Sequence, residues 1–111
     1  MPEIIAIHSF RGGTGKSNTT ANLACLLARQ GRRVGIVDTD IQSPGIHVLF
    51  NLDPKDAPHT LNDFLWGKCD IGSAVYDVSR VLGAGKKDNL FLIPSSIRTG
   101  DIARVLHYGY D

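Results

Sequence analysis

An α/β fold built on a parallel sheet is predicted by three observations. Residues 3–9 (EIIAIHS), 33–38 (RVGIVD) and 89–94 (NLFLIP) are short, nearly unbroken apolar runs, the composition of strands buried inside a parallel sheet. A glycine-rich turn follows the first run. After it, residues 17–30 carry Thr20, Leu23, Ala24, Leu27 and Ala28 at helical spacing. The order strand, loop, helix, strand predicts a right-handed crossover with the first two strands parallel.

Each element has its own reason. The first run is rich in β-branched residues, and Gly12, Gly13 and Gly15 form the turn that ends it. Gly31 is placed to end the helix as its C′ residue. Residues 39–59 read as loop and short helix, punctuated by Pro44, Gly45, Pro54 and Pro58. Thr60 with Asp63 forms a capping-box pattern that opens a short helix, LNDFLWGK. Residues 70–88 are weakly patterned and end in a turn at 83–88 (GAGKKD). After the third strand, residues 101–108 form a candidate helix begun by Thr99. A complete α/β sheet has about five or six strands. The sheet is therefore either very small or the N-terminal portion of a larger one.

Composition narrows the function classes. At 111 residues and 42% hydrophobic, the chain is the size of one small domain. A net charge of +1 leaves no electrostatic footprint for nucleic acid or an anionic membrane. Cys25 and Cys69 lack CxxC spacing and read as buried or reduced thiols, not as a disulfide framework or zinc site. No apolar run reaches the roughly 18 residues of a membrane span, and the first ten residues lack the basic start of a secretory signal. A cytoplasmic location is the default expectation.

The chemistry concentrates in residues 10–17 (FRGGTGKS). A strand, a glycine-rich turn and a helix in that order gather backbone N–H groups around one concave spot, and the helix N-terminus adds its positive dipole end. Glycine is needed there because a β-carbon blocks close approach to phosphate and some positions need positive φ. Lys16 can reach the β- and γ-phosphates, and the Ser17 hydroxyl can ligate Mg²⁺. The segment is a phosphate-binding loop. Its expected nucleotide-binding set is Gly12, Gly13, Thr14, Gly15, Lys16, Ser17 and Asn18, with ATP or ADP and Mg²⁺ as the expected cofactors. Asp38, ending the second apolar run, has the position of a Walker B carboxylate able to hold a hard cation. An ordinary turn or cap role stays open for Asp38 and Asp40.

Phe10 stands where the strict GxxxxGK[ST] pattern has glycine. The loop resembles the deviant Walker A motif of the MinD/ParA family, xKGGxGK[ST]. The resemblance extends to residues 38–42 (DTDIQ), similar to the family's DxDxQ segment, and to 90–96 (LFLIPSS), similar to its third strand. It implies a Rossmann-like three-layer P-loop NTPase, with residues 1–111 its N-terminal part: phosphate loop, switch I and third strand. It also implies an ATP hydrolase that cycles between ADP monomer and ATP dimer, meets an activating partner and positions cellular cargo or septa, as in cell division and partitioning. Under it Asp38 becomes the switch I carboxylate near Mg²⁺, with Ser17 on the same ion, and Asp40 positions the attacking water. The catalytic set is Lys16, Asp40 and Arg11. Arg11 replaces the signature lysine that reaches across the dimer; it keeps the charge but is planar and bulkier. A solvated loop arginine is the other reading.

The family's switch II carboxylate has no counterpart before Asp111, so this chain alone is expected to hydrolyse ATP very slowly or not at all. Two other functions stay open: a related ATPase that loads metal or clusters into an apoenzyme, marked by a CxxC, and a module that binds nucleotide and barely hydrolyses it. His8, His47, His59 and His107 are scattered without metal-ligand spacing. Lys86 and Lys87 read as a solvated turn, and Phe64, Leu65 and Trp66 as a satellite core.

Overall fold

The computed structural model describes residues 16–39, 46–83 and 85–96. Helix α1 (Lys16–Arg29) opens directly after the glycine-rich segment. Its buried line is Ala21, Ala24 and Ala28. Thr20, Leu23 and Leu27 are only half-buried, so the packed face is turned from the expected one toward Ala21. Small side chains let the helix sit close on the sheet, while the leucines flank the contact. Gly31 ends the helix as expected. With φ at 91°, its N–H donates to the Ala28 carbonyl at 3.0 Å and the Arg32 N–H to that of Leu27 at 3.3 Å, the paired bonds of a Schellman cap. The chain then enters β1 (Val34–Val37). Because the link is so short and α1 packs on β1, the helix runs back antiparallel over the strand.

Strand β3 (Leu90–Ile93) pairs parallel with β1, in register from Val34 opposite Leu90 to Val37 opposite Ile93. The expected strands at 33–38 and 89–94 are both present and adjacent. The expected first strand at 3–9 and the helix at 101–108 lie outside the described residues. The structure adds β2 (Tyr76–Asp77), antiparallel to β3, giving the order β1-β3-β2. The described sheet is therefore mixed rather than purely parallel. Two residues carry no period that a sequence can display; β2 is held by the side chains around it. The 83–88 turn that returns the chain to β3 has Gly83, Gly85 and Asp88 at positive φ.

Alternation along the strands sorts the two faces of the sheet. Ile36, Leu90 and Leu92 point into the core beneath α1, joined by Phe50 and Val78. Full burial of leucines such as Leu90 and Leu92 is worth about 1.5–3 kcal/mol each. On the other face Gly35 is exposed, Val37 is 48% exposed and Phe91 and Ile93 are half-buried. Coverage on both faces, expected for 33–38, is thus absent among the described residues.

Between the strands, α2 (Ile46–Leu49) packs on α1, and α3 (Leu61–Leu65) starts at the Thr60–Asp63 capping box. The Asp63 carboxylate accepts the Thr60 N–H at 3.0 Å. Gly67, at φ 75°, caps the other end. The Phe64, Leu65 and Trp66 satellite core is not formed as expected: Phe64 and Leu65 are 39% and 40% exposed. The helix is too short to bury both its ends, and its buried side is Leu61, Asn62 and Asp63. Lys86 and Lys87 are exposed, as the solvated turn requires.

Candidate functional site

Parallel strands end on the same side of a sheet, and ligands of open α/β sheets bind beyond those carboxyl ends. Here β1 ends into Asp38 and β3 ends into Pro94, Ser95 and Ser96. The Asp38 N–H donates to the Ile93 carbonyl at 3.0 Å, extending the ladder one residue past β1. The Ser95 hydroxyl donates to the Asp38 carbonyl. Ser95 is held in turn by its neighbours, because the Leu61 N–H donates to the Pro94 carbonyl at 2.7 Å and the Ser96 N–H to Asn62 Oδ1 at 2.8 Å. The start of α3 is thereby docked on the end of β3.

This end of the sheet buries polar groups where an ordinary core buries hydrocarbon. Asp38 is 6% exposed, Ser95 3%, Ser96 1% and Asn62 not at all. Buried polar groups are costly unless bonded, and the bonds above meet that cost for the Ser95 hydroxyl and for Asn62 Oδ1. Because α1 runs antiparallel to β1, its first residues, Lys16 and Ser17, lie at the same end as Asp38. No acidic residue occupies the first turn of α1, so nothing on the helix itself neutralises its positive dipole end. A helix N-terminus at the same end of a sheet as a buried carboxylate suits an anion and a hard cation together.

Lys16 and Ser17 begin α1 and Asn18 is exposed in its first turn. Arg11, Gly12, Gly13, Thr14, Gly15 and Asp40 lie outside the described residues, as do His8 and His107. Asp38 is a buried carboxylate residue at the carboxyl end of β1. Among the described residues no group of three His, Cys, Asp or Glu side chains is arranged to hold a metal. A single carboxylate at the same end of the sheet as a helix N-terminus fits Mg²⁺, which keeps several waters and takes one or two carboxylates together with substrate phosphates. Ser95, Ser96 and Asn62 were not singled out for any role in the sequence. The two serines directly after an apolar strand were a visible signal; Asn62 on a short helix gave none.

Both cysteines are half-buried free thiols. Burial, with the carboxylates of Asp63 and Asp70, pushes the Cys69 thiol up and away from the reactive thiolate. No described helix is long and apolar enough to cross a membrane.

Comparison with known proteins agrees with this geometry. The ParA family model, described as an NUBPL iron-transfer P-loop NTPase, matches residues 1–71. An uncharacterized ATP-binding protein of Methanocaldococcus jannaschii is 47% identical over 77 residues, covering 69% of this chain and 28% of its own length. An iron-sulfur cluster carrier protein of Pseudomonas fragi is 48% identical over 66 residues, 60% of this chain and 23% of its own. Among solved structures, the septum site-determining protein MinD of Pyrococcus horikoshii, complexed with Mg-ADP, superposes with a TM-score of 0.69 at 29% identity, covering 85% of this chain and 35% of that one. The chain thus spans about a quarter to a third of the length of these proteins.

Proposed function

The chain belongs to the ParA family of P-loop NTPases, and from that premise we propose that residues 1–111 are the N-terminal, phosphate-binding part of an ATP-binding, Mg²⁺-dependent ATPase of the MinD/ParA type. The observation that carries the reading is the buried Asp38, fixed at the carboxyl end of β1 on the side where α1 opens without an acidic residue in its first turn. The amides of Gly12, Gly13, Thr14, Gly15 and Asn18 bind phosphate oxygens, and Lys16 neutralises their charge. Ser17 and Asp38 hold Mg²⁺, Asp40 orients the attacking water, and Arg11 reaches a nucleotide across a homodimer. When bound, Mg²⁺ neutralises phosphate charge and templates the phosphates. Phosphoryl transfer needs little covalent work, so these residues act by positioning and by charge.

For the cellular role we propose intracellular positioning, with the ATP-dependent homodimer as its working form and an activating protein as its trigger. Similarity to MinD supports that role. A second reading has its own support in the iron-transfer description of the family model and the 48% identity to an iron-sulfur cluster carrier. It requires a CxxC, and Cys25 and Cys69 do not form one. A CxxC elsewhere in the parent reading frame favours the carrier; an amphipathic C-terminal membrane helix favours positioning.

Thermal unfolding with Mg-ADP or Mg-ATP tests the shared core of both readings. At ligand near 100 times its dissociation constant the stabilisation is about 2.7 kcal/mol, a melting shift on the order of 10 °C. Lys16→Ala removes most of it. A folded chain whose melting temperature ignores both nucleotides overturns the reading.

A further inference from the structure

We propose that Ser95 is a positioning residue for Asp38: its hydroxyl fixes the backbone from which the Asp38 carboxylate meets Mg²⁺. The proposal rests on the reading of Asp38 given above and assigns the device that holds it.

Asp38 is the first residue past β1 and is held at the backbone from both sides. Its N–H donates to the Ile93 carbonyl at 3.0 Å, and its carbonyl accepts the Ser95 hydroxyl. The first bond is ordinary strand pairing that any residue could make. The second is specific, because it needs a side-chain donor from the segment after β3.

Ser95 is itself held in place. It is 3% exposed, and its two neighbours are pinned to the start of α3 by the bonds from Leu61 N–H to the Pro94 carbonyl and from Ser96 N–H to Asn62 Oδ1. The amide of Asn62 is oriented by that second bond, since only its oxygen can accept an N–H. The capping box of Thr60 and Asp63 fixes the start of α3 in turn. A chain of bonds therefore runs from α3 through the end of β3 to Asp38.

Hydrocarbon packing could fasten α3 to the sheet, as it fastens α1. It would not set the direction of one carboxylate, and a binding site needs its groups held to within about 0.5 Å. Directional bonds to backbone supply that precision, and supporting residues of a metal site typically change its affinity by 10–100-fold when removed.

The test measures ADP binding by the full chain in EDTA and in Mg²⁺, and takes the ratio of the two dissociation constants as the Mg²⁺ coupling. Wild type, Asp38→Asn, Ser95→Ala and Ser95→Thr are compared, with melting temperatures recorded for each. Ser95→Ala is expected to cut the coupling about tenfold while EDTA affinity, set by the loop amides, holds. Ser95→Thr keeps the hydroxyl and restores the coupling. A merely structural serine would lower the melting temperature and leave the coupling intact. Coupling lost in Asp38→Asn and kept in Ser95→Ala overturns the role of Ser95 and leaves the reading of Asp38 standing. Coupling absent in wild type, or kept in Asp38→Asn, overturns that reading and the proposal with it. If Ser95→Ala fails to fold, Ser95→Cys decides by the same ratio, since it keeps the shape and weakens the donor; unchanged coupling there also overturns the proposal.

Discussion

The two ends of β3 are fastened by the same device, side chains bonded to backbone, but they hold different groups. At the amino end the Ser79 hydroxyl, fully buried, accepts the N–H groups of Asn89 at 3.0 Å and Leu90 at 2.9 Å. The Asp77 carboxylate accepts those of Ser79 at 2.9 Å and Asp88 at 2.8 Å. These groups complete one another and hold β2 on the sheet edge. At the carboxyl end, where α1 opens, the Ser95 hydroxyl donates to the Asp38 carbonyl and Asn62 Oδ1 accepts the Ser96 N–H, while Asn62 Nδ2 is buried with no hydrogen-bond partner. A latch that satisfies its own groups serves stability. One that ends on a buried carboxylate at the carboxyl ends of the strands serves a ligand on the reading proposed above. Changes at the amino end should therefore move the melting temperature and spare nucleotide binding; changes at the carboxyl end should do the reverse.

The largest effect that can break this contrast belongs to the ligand end. If the full-length protein works as the proposed dimer with an activating partner, Arg11→Ala should keep nucleotide binding and lose about 10³ to 10⁵ in stimulated hydrolysis, or about 4–7 kcal/mol of barrier. Arg11→Lys should retain activity. Mixing Arg11→Ala with a Lys16-defective chain should recover turnover; an inactive mixture places Arg11 within its own chain. Next is the middle of β3, which serves both ends. Leu92→Ala empties a site with no exposure and should cost about 3 kcal/mol, read by urea unfolding, with the nucleotide-induced melting shift reduced only as far as the fold is lost.

Ser79→Ala sharpens the contrast at the amino end. It leaves the Leu90 N–H buried without its acceptor, at a cost of about 2 kcal/mol, a melting fall on the order of 10 °C. Mg²⁺ coupling should be unchanged; a loss comparable to that in Ser95→Ala would show that the two ends are one unit. The smallest effect is at Asp77. The Ser79 hydroxyl, then the Asp88 and Ser79 amides, hold its carboxyl below the usual range despite an opposing contribution from burial. A group depressed in the folded state gives stability present in full above its unfolded value, about 3.9 for aspartate. That stability disappears as pH falls through the lower folded value. Asp77 is exposed, so solvent screening keeps the contribution near 0.5 kcal/mol. Asp77→Asn should lower stability by about 0.5 kcal/mol at neutral pH and flatten the stability–pH curve below about pH 4.

Most of what the sequence displayed was local. Gly31 could be read as a helix end because a residue at positive φ is nearly always glycine, and the structure has it at 91°. Thr60 and Asp63 could be read as a capping box because the motif spans four consecutive residues and needs no distant partner. The second and third strands announced themselves by apolar runs, and the phosphate loop by spacing that few other segments share. Asp38 was placed correctly at the end of its strand, since its position depends only on where β1 stops.

The misreadings share one cause. The buried face of α1 was turned from its expected place because three alanines pack closer than the leucines beside them, and the sheet beneath decides which side is met. Phe64 and Leu65 were assigned to a core by their size, yet α3 is docked through Asn62 and the chain after β3. Strand β2 has only two residues and exists because Ser79 and Asp77 bond across to the start of β3. The residues holding Asp38 lie 24 to 58 positions away from it in the chain (Asn62 to Ser96), beyond the reach of any local pattern. By itself the sequence determined the α/β class, the caps, two strands and the loop chemistry, because each is a property of neighbouring residues. Tertiary structure alone decided β2 and the bonds to the Asp38 backbone, because a hydrogen bond between distant segments depends on where the fold brings them together.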